Sequence, residues 1–347
     1  MRLRKGRDFR HEILAAMDAI EADPGVGALV VTGAAGFIGS NYARWVLGNT
    51  DHSVTIYDAL TYAGNLSSIR DLLDDPRCTF VHADICDRAA VLAAMDGHDA
   101  VVHFAAESHV DRSIGDPDAF VRTNCFGTNV VCDVARRVGV GRFLHISTDE
   151  VYGSIDVGSF VETDRLTPRS PYSASKASSD LIALSYVTTH GLPVMVTRCS
   201  NNFGPYQYPE KVIPLFTTNL LDGRKVPLYG DGGNVRDWIH VEDHNRAAHL
   251  VLTDGAVGEI YNIGAHHELT NRELTHRLIE LCGRDEGFIE PVADRLGHDR
   301  RYSVNIDKIS ALGWRMQRSF EDSLAETVQW YRDNRWWWEP LKARTGR

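Results

Sequence analysis

The chain has 347 residues, 43% of them hydrophobic, enough to bury a large core and to build two lobes. Its 47 acidic residues outnumber its 37 basic ones, for a formal net charge of -10, and no Lys/Arg block is long enough to track a phosphate backbone. No apolar stretch reaches the length of a membrane span, so neither nucleic acid nor a membrane is an expected partner. A few locally placed cations would still suffice for a nucleotide-sized anion.

The first residues, MRLRKGRDFRHEILAAMDAIEADPGVG, start basic and turn acidic without an apolar stretch of signal-peptide type, so residues 1–27 read as an N-terminal extension. Within it HEILAAMDAI has helical spacing, and one amphipathic helix and an unstructured tail are the two readings. From Ala28 strands and helices alternate. ALVVTGAAGFIGSNYARWVLG is an apolar run, a Gly-rich turn and a helix; HSVTIYDAL and CTFVHADICD are strands, followed by helical RAAVLAAMDG. DAVVHFAAESH is a strand running into a loop, and DAFVRTNCFGTNVVCDVARRVGV is a long helix. GRFLHISTDE is the next strand, SPYSASKASSDLIALSYVTTHG a helix stopped at Gly191, and LPVMVTRCS a strand. This alternation predicts an α/β fold, a Rossmann-like doubly wound parallel sheet over residues 28–200. Beyond Cys199 the pattern loosens into loops rich in Gly, Pro, Asn and aromatics. Residues 201–235 and 266–347 read as a smaller ligand-supplying lobe, with 236–265 returning to the first. Cys78, Cys86, Cys125, Cys132, Cys199 and Cys282 form no C-x-x-C pair and read as reduced thiols of a cytoplasmic protein. No metal is expected.

TGAAGFIGS spaces Gly33, Gly36 and Gly39 as G-x-x-G-x-x-G, with Phe37 and Ile38 opening the helix. Glycines permit the tight turn and the close approach of a pyrophosphate, and the helix N-terminus points N–H groups at the same phosphates. The strand after it ends in Asp58, about 20 residues beyond the last glycine, as a ribose contact requires. A carboxylate there accepts two free hydroxyls and repels a 2′-phosphate, so NAD is expected rather than NADP. Asp84 and Ile85, ending the next strand, are placed to meet adenine, with a helix N-cap as the alternative for Asp84. Ala105 and Ala106 in HFAAES pass under the nicotinamide half, unless their smallness serves packing alone.

YSASK sets Tyr172 and Lys176 four apart on one helix face. An ammonium beside a phenol lowers its pKa and makes a base for a substrate hydroxyl. After a dinucleotide turn and a strand ending in Ser147 and Thr148, this resembles the short-chain dehydrogenase/reductase superfamily in its extended, sugar-nucleotide-modifying branch. TDEVYG, with Asp149 and Glu150, is similar within that branch to the dTDP-glucose 4,6-dehydratases. The resemblance runs from Ala28 to Leu341 through LTYAGN, HFAAESHVDRSI, STDEVYGS, SPYSASKASSD, TRCSNNFGPYQYPEK, YGDGGNVRDW, ELTNREL, DRLGHDRRYS and WWWEPL. It departs in the N-terminal extension and in GAHHE, Gly264 to Glu268, where the family has more glycine.

The resemblance implies NAD-dependent removal of water from a nucleotide hexose. Tyr172 takes the C4 hydroxyl proton, aided by Thr148 and Lys176, while Glu150 removes the C5 proton and Asp149 donates to the departing C6 hydroxyl. Adjacent carboxylates suit this because repulsion and burial keep one protonated; spacing alone permits the reverse assignment. It further implies a nucleotide-sugar-binding lobe and a homodimer through helices near Asp118–Arg137 and Pro171–His190. Asn201 and Asn202 offer amide donors near the pyrophosphate, and Arg236 a cationic fork. Lys211, Asn271, Arg295 and His298 add donors, and Tyr229 an aromatic face for the base. Ser108, Asp111 and Thr123 lie near the sugar and nicotinamide. WYRDNRWWWEPL reads as a C-terminal helix docked on the core rather than a stacking platform. Rival readings are an epimerase or decarboxylase of the same branch, or a cofactor-sensing protein without turnover.

Overall fold

The computed structural model describes residues 26–294 and 299–345. The helix-or-tail expectation for the N-terminal extension lies outside the described residues. Six strands build the first part of the chain: β1 (Ala28–Thr32), β2 (Ser53–Asp58), β3 (Cys78–His82), β4 (Ala100–His103), β5 (Arg142–Thr148) and β6 (Val194–Cys199). Beyond them come β7 (Asn201–Phe203), β8 (Val226–Tyr229), β9 (Val235–His240), β10 (Ile260–Ile263), β11 (Glu268–Thr270) and β12 (Ile289–Val292). A 7-stranded parallel sheet takes the order β10-β6-β5-β4-β1-β2-β3. The strand order reverses between β1 and β4, and this is where a doubly wound sheet opens a crevice at its carboxyl edge.

Strands β4, β5 and β6 are buried along their whole length, which is why none of them shows a regular apolar-polar alternation; the polar residues they carry, such as Arg142, His145 and Arg198, are buried too. Helices Phe37–Asn49 and Val241–Asp254 cover one face through Tyr42, Val46, Ala248 and Val251. Arg88–Met95, Thr128–Val138 and Pro171–His190 cover the other through Val91, Val131, Val134 and Ala183. The chain returns to the large sheet with Val241–Asp254 and β10, which pairs parallel with β6. Arg236, where that return was expected, belongs to β9, which pairs with β7 and β11 in a 3-stranded sheet. Its Trp238 is committed to the core of the smaller lobe, with Phe203, Phe216, Leu274 and Leu324.

The long helix expected over residues 118–138 contains a π segment, Val121–Gly127, between Pro117–Phe120 and Thr128–Val138. The wider turn serves a purpose. Asn124 within it accepts from the Glu107 nitrogen at 2.8 Å and donates to the Glu107 carbonyl at 3.0 Å, pinning the loop that follows β4. Such bulges concentrate at functional sites. The C-terminal aromatics pack as a cluster of Tyr208, Tyr331, Trp337, Trp338 and Leu341. All six cysteines are free thiols. Among the described residues no helix is long and apolar enough to cross a membrane.

Candidate active site

Gly33 ends β1 at φ 71°, and a Cβ there would stand 2.6 Å from the Ala105 nitrogen. A Cβ on Gly39 would stand 2.5 Å from the Gly33 carbonyl oxygen. No side chain fits at either place, so the turn is a bare backbone cradle. The helix Phe37–Asn49 begins at Gly36 with neither a side-chain cap nor an acidic residue in its first turn, leaving its leading N–H groups and positive end to an anion. At the end of β2, Asp58 accepts from the Ala35 nitrogen at 2.9 Å and the Leu60 nitrogen at 2.8 Å. Burial raises its pKa while those two N–H groups oppose the rise. Each carboxylate oxygen keeps a further lone pair for a ribose hydroxyl. The donor set therefore fits a dinucleotide.

Asp84 is not the helix N-cap. Its Oδ1 accepts from the Cys86 nitrogen at 2.8 Å, and Asp87 caps Arg88–Met95 instead. Asp84, Ile85, Ala105, Ala106 and Thr123 line the same cleft as the glycines. Ala105 donates its N–H to Thr32 Oγ1 at 3.3 Å, and its backbone lies directly against Gly33.

At the end of β5, Thr148 caps a 3-10 turn formed by Asp149–Val151, with the Glu150 nitrogen donating to Thr148 Oγ1 at 3.3 Å. Both carboxylates thus leave the sheet edge and line the cleft, together with Tyr172 and Lys176. The helix that carries Tyr172 and Lys176 starts in a capping box: the Ser173 nitrogen donates to Ser170 Oγ at 3.1 Å, and the Ser170 nitrogen donates to Ser173 Oγ at 3.0 Å. Pro171 occupies its first turn, and Gly191 ends it at φ 69°. Asp149 is buried; burial first, then the charges of Glu150 and Asp237, hold its pKa well above the usual carboxylate range. Thr148 Oγ1 donates to Asp149 Oδ1 at 3.2 Å. Of the two carboxyls, Asp149 is the one whose surroundings favour the proton. Glu150, half-buried, also lines the adjoining cavity.

The expectation of a lowered Tyr172 pKa is overturned for the protein alone. Burial leads, then the Glu150 charge, in raising it well above the usual phenol range, opposed by a hydrogen bond with Thr148. Lys176 Nζ donates to the Ile146 carbonyl at 2.7 Å, and burial lowers its own pKa against the charge of Asp180. Below it lies a buried network in which Asp180 pairs with Arg198 Nε at 2.9 Å and His145 Nε2 at 3.3 Å.

Two cavities meet at Ser108, Glu150, Asn201, Asn202, Gln207, Glu210 and Lys211. The second extends past Asp111, Tyr229, Arg236 and Asn271. Lys211 Nζ donates to the Ser108 carbonyl at 3.0 Å, and Arg236 donates to the Asp299 carbonyl at 3.0 Å with its guanidinium 4.3 Å over the Tyr302 ring. Asn202 does not have a free amide donor set: its Nδ2 donates to the Ser200 carbonyl at 3.1 Å and meets the Cys199 thiol. Arg295 and His298 lie outside the described residues. Sequence reasoning passed over Ser147, Ser200, Gln207 and Glu210, which also line the cleft. Gln207 and Glu210 stand in PYQYPEK between residues already singled out, the one signal that pointed to them.

A dinucleotide cradle at the switch point, a Tyr-Lys helix beside it and a second lobe closing an adjoining cavity define an extended short-chain dehydrogenase/reductase. Residues 30–327 match the family profile described as GDP-mannose 4,6 dehydratase. The chain is 58% identical over 323 residues to a dTDP-glucose 4,6-dehydratase of Streptomyces antibioticus, covering 91% of this chain and 96% of that one. It is 46% identical over 344 residues to dTDP-glucose 4,6-dehydratase 1 of Escherichia coli, covering 91% and 95%. A crystal structure of DesIV, the dTDP-glucose 4,6-dehydratase of Streptomyces venezuelae, with NAD and TYD bound, superposes with a TM-score of 0.89 at 55% identity, covering 90% of this chain and 99% of that one. A Thermus thermophilus UDP-glucose 4-epimerase in complex with NAD superposes with a TM-score of 0.83 at 30% identity, covering 88% and 99%. The chain belongs to the dTDP-glucose 4,6-dehydratase family.

Proposed function

We propose that this enzyme converts dTDP-glucose to dTDP-4-keto-6-deoxy-glucose with NAD as its cofactor, and that the Asp149–Glu150 pair performs the dehydration. The observation that carries the reading is a buried Asp149, its surroundings favouring the proton, directly beside the more accessible Glu150 at the mouth of a dinucleotide cleft. Bound NAD supplies the acceptor for the hydride at C4 and returns that hydride to C6.

Tyr172 takes the C4 hydroxyl proton, held in place by Thr148. Burial and the Glu150 charge favour the phenol form of Tyr172 in the protein alone. The Lys176 ammonium, one helical turn away on the same face, together with the positively charged nicotinamide of bound NAD, would favour the phenolate that accepts the proton. Oxidation at C4 acidifies the C5 hydrogen, which Glu150 removes. Asp149 donates its proton to the C6 hydroxyl, which leaves as water; Glu150 gives its proton back to C5, and the proton that Tyr172 took from the C4 hydroxyl makes good the one Asp149 lost. Asn201, Lys211, Arg236, Asn271 and Tyr229 hold the nucleotide diphosphate in the second cavity, Lys211 and Arg236 supplying the cations that meet it.

The same reading divides the chain into an NAD-binding part built on the large sheet and a nucleotide-sugar lobe. It also makes the enzyme a cytoplasmic homodimer. Val121, Phe126 and Leu181 are 57%, 48% and 62% exposed on the helical segments expected at the dimer interface. The epimerase reading shares the fold, so the fold does not separate the two; the paired carboxylates do. Mass spectrometry of the product from dTDP-glucose, UDP-glucose and GDP-mannose tests the assignment. It expects loss of one water, fastest from dTDP-glucose. An isomeric sugar of unchanged mass would contradict it.

A further inference from the structure

Gln207 and Asn202 stand where the cofactor cleft meets the second cavity, and both line both. Each is only 8% exposed. Each amide's orientation is set by its nitrogen, which faces a carbonyl: Gln207 Nε2 donates to the Asn202 carbonyl at 2.9 Å, and Asn202 Nδ2 donates to the Ser200 carbonyl at 3.1 Å. Both amide oxygens, Gln207 Oε1 and Asn202 Oδ1, are then left buried without a donor. A buried acceptor without a partner is costly, and such groups in a native fold call for a ligand or another explanation.

The fold holds this arrangement deliberately. Tyr206, next to Gln207, adopts φ 65°, a conformation a bulky residue rarely takes. Its ring is trapped 4.7 Å from Trp330 and 5.6 Å from Trp337. Tyr331 Oη donates to the Gln207 carbonyl at 2.6 Å. The C-terminal aromatic cluster thus clamps the turn that aims Gln207.

We propose that Gln207 and Asn202 read the hexose: their amide oxygens accept hydrogen bonds from the ring hydroxyls at C2 and C3. With C1 toward the diphosphate in the second cavity, C4 toward Tyr172 and C5 and C6 toward the carboxylates, C2 and C3 are the hydroxyl-bearing positions left to face the junction. Acceptors without donors of their own match hydroxyl donors and disfavour a sugar lacking them. This rests on the nucleotide-hexose reading of the site.

The test compares dTDP-glucose with its 2-deoxy and 3-deoxy analogues on the wild-type enzyme, Gln207→Leu and Gln207→Glu. Wild type is expected to lose about 10-fold or more in kcat/KM on at least one analogue. Gln207→Leu is expected to show a similar loss on dTDP-glucose but no further loss on that analogue, while Gln207→Glu, which keeps an acceptor, retains the discrimination. Affinity for thymidine diphosphate alone should stay within about 2-fold in both variants, reporting an intact fold and nucleotide cavity. An equal loss on all three sugars in Gln207→Leu, or no discrimination by wild type, would overturn the proposal. Repeating the comparison as Kd values, by displacement of labelled thymidine diphosphate, reads the contact without turnover. Failure of the reaction assignment and failure of this contact are then separate results.

Discussion

Asp149 has two carboxylates within electrostatic reach, Glu150 and Asp237, and almost no water, and all three conditions favour its protonated form. Because its folded pKa lies above its unfolded one, the folded state holds the extra proton. The stability this contributes is complete below the unfolded carboxyl value of about 3.9 and drains as pH rises toward the folded value, by about 1.4 kcal/mol per pH unit. Asp149→Asn, neutral at every pH, is spared that drain. Urea unfolding should therefore show the variant gaining on wild type as pH rises above the unfolded carboxyl value of about 3.9, while its kcat falls about 100-fold or more. A stability difference that does not change with pH would mean that the carboxyl is not held protonated. Tyr172 teaches the complementary point. Spacing placed it on the face of Lys176, but spacing could not reveal that burial and the Glu150 charge raise its pKa, or that Lys176 anchors one donor on the Ile146 carbonyl.

The βαβ elements were legible because buried parallel strands such as β5 and β6 are short and rich in apolar and β-branched residues, and because Gly191 and the Ser170 cap punctuate the helix between them. The π segment carried no local signal, since Val121–Gly127 reads as ordinary helix until Asn124 finds the Glu107 backbone. β9 was misassigned for a similar reason: its pairing with β7 and β11 depends on contacts distant in sequence. Gln207 was passed over because its significance lies in an amide oxygen without a donor, a property of the folded turn. The glycine turn was legible, and its geometry makes a sharp prediction. Gly33→Ala needs a left-handed φ and places a Cβ 2.6 Å from the Ala105 nitrogen, so the β1 turn must shift. Titration calorimetry should show NAD affinity reduced about 10-fold or more, since even a shift of about 1 kcal/mol or two costs that much. Unchanged affinity would mean that the cradle does not hold the pyrophosphate.

Across the whole molecule, a chain of net charge -10 places Lys211, Lys225 and Arg236 on the wall of one cavity, among the carboxylates of Asp111, Glu150, Glu210 and Glu290. Val121, Phe126 and Leu181 are exposed on neighbouring helical segments, the apolar groups that the proposed homodimer would cover. Phe126→Asp combined with Leu181→Asp should halve the mass seen by light scattering while leaving the far-ultraviolet dichroism of the fold intact. A mass that stays dimeric would place the interface elsewhere, and a wild-type monomer would remove it. Beyond assembly, the central claim is that one site oxidises C4, expels water across C5 and C6, and returns the same hydride. Purified enzyme with dTDP-glucose deuterated at C4, followed by mass spectrometry of the product, measures this directly. Loss of one water with the deuterium found at C6 is the predicted result. Deuterium retained at C4 in a sugar of unchanged mass, or washed out into solvent, would contradict it.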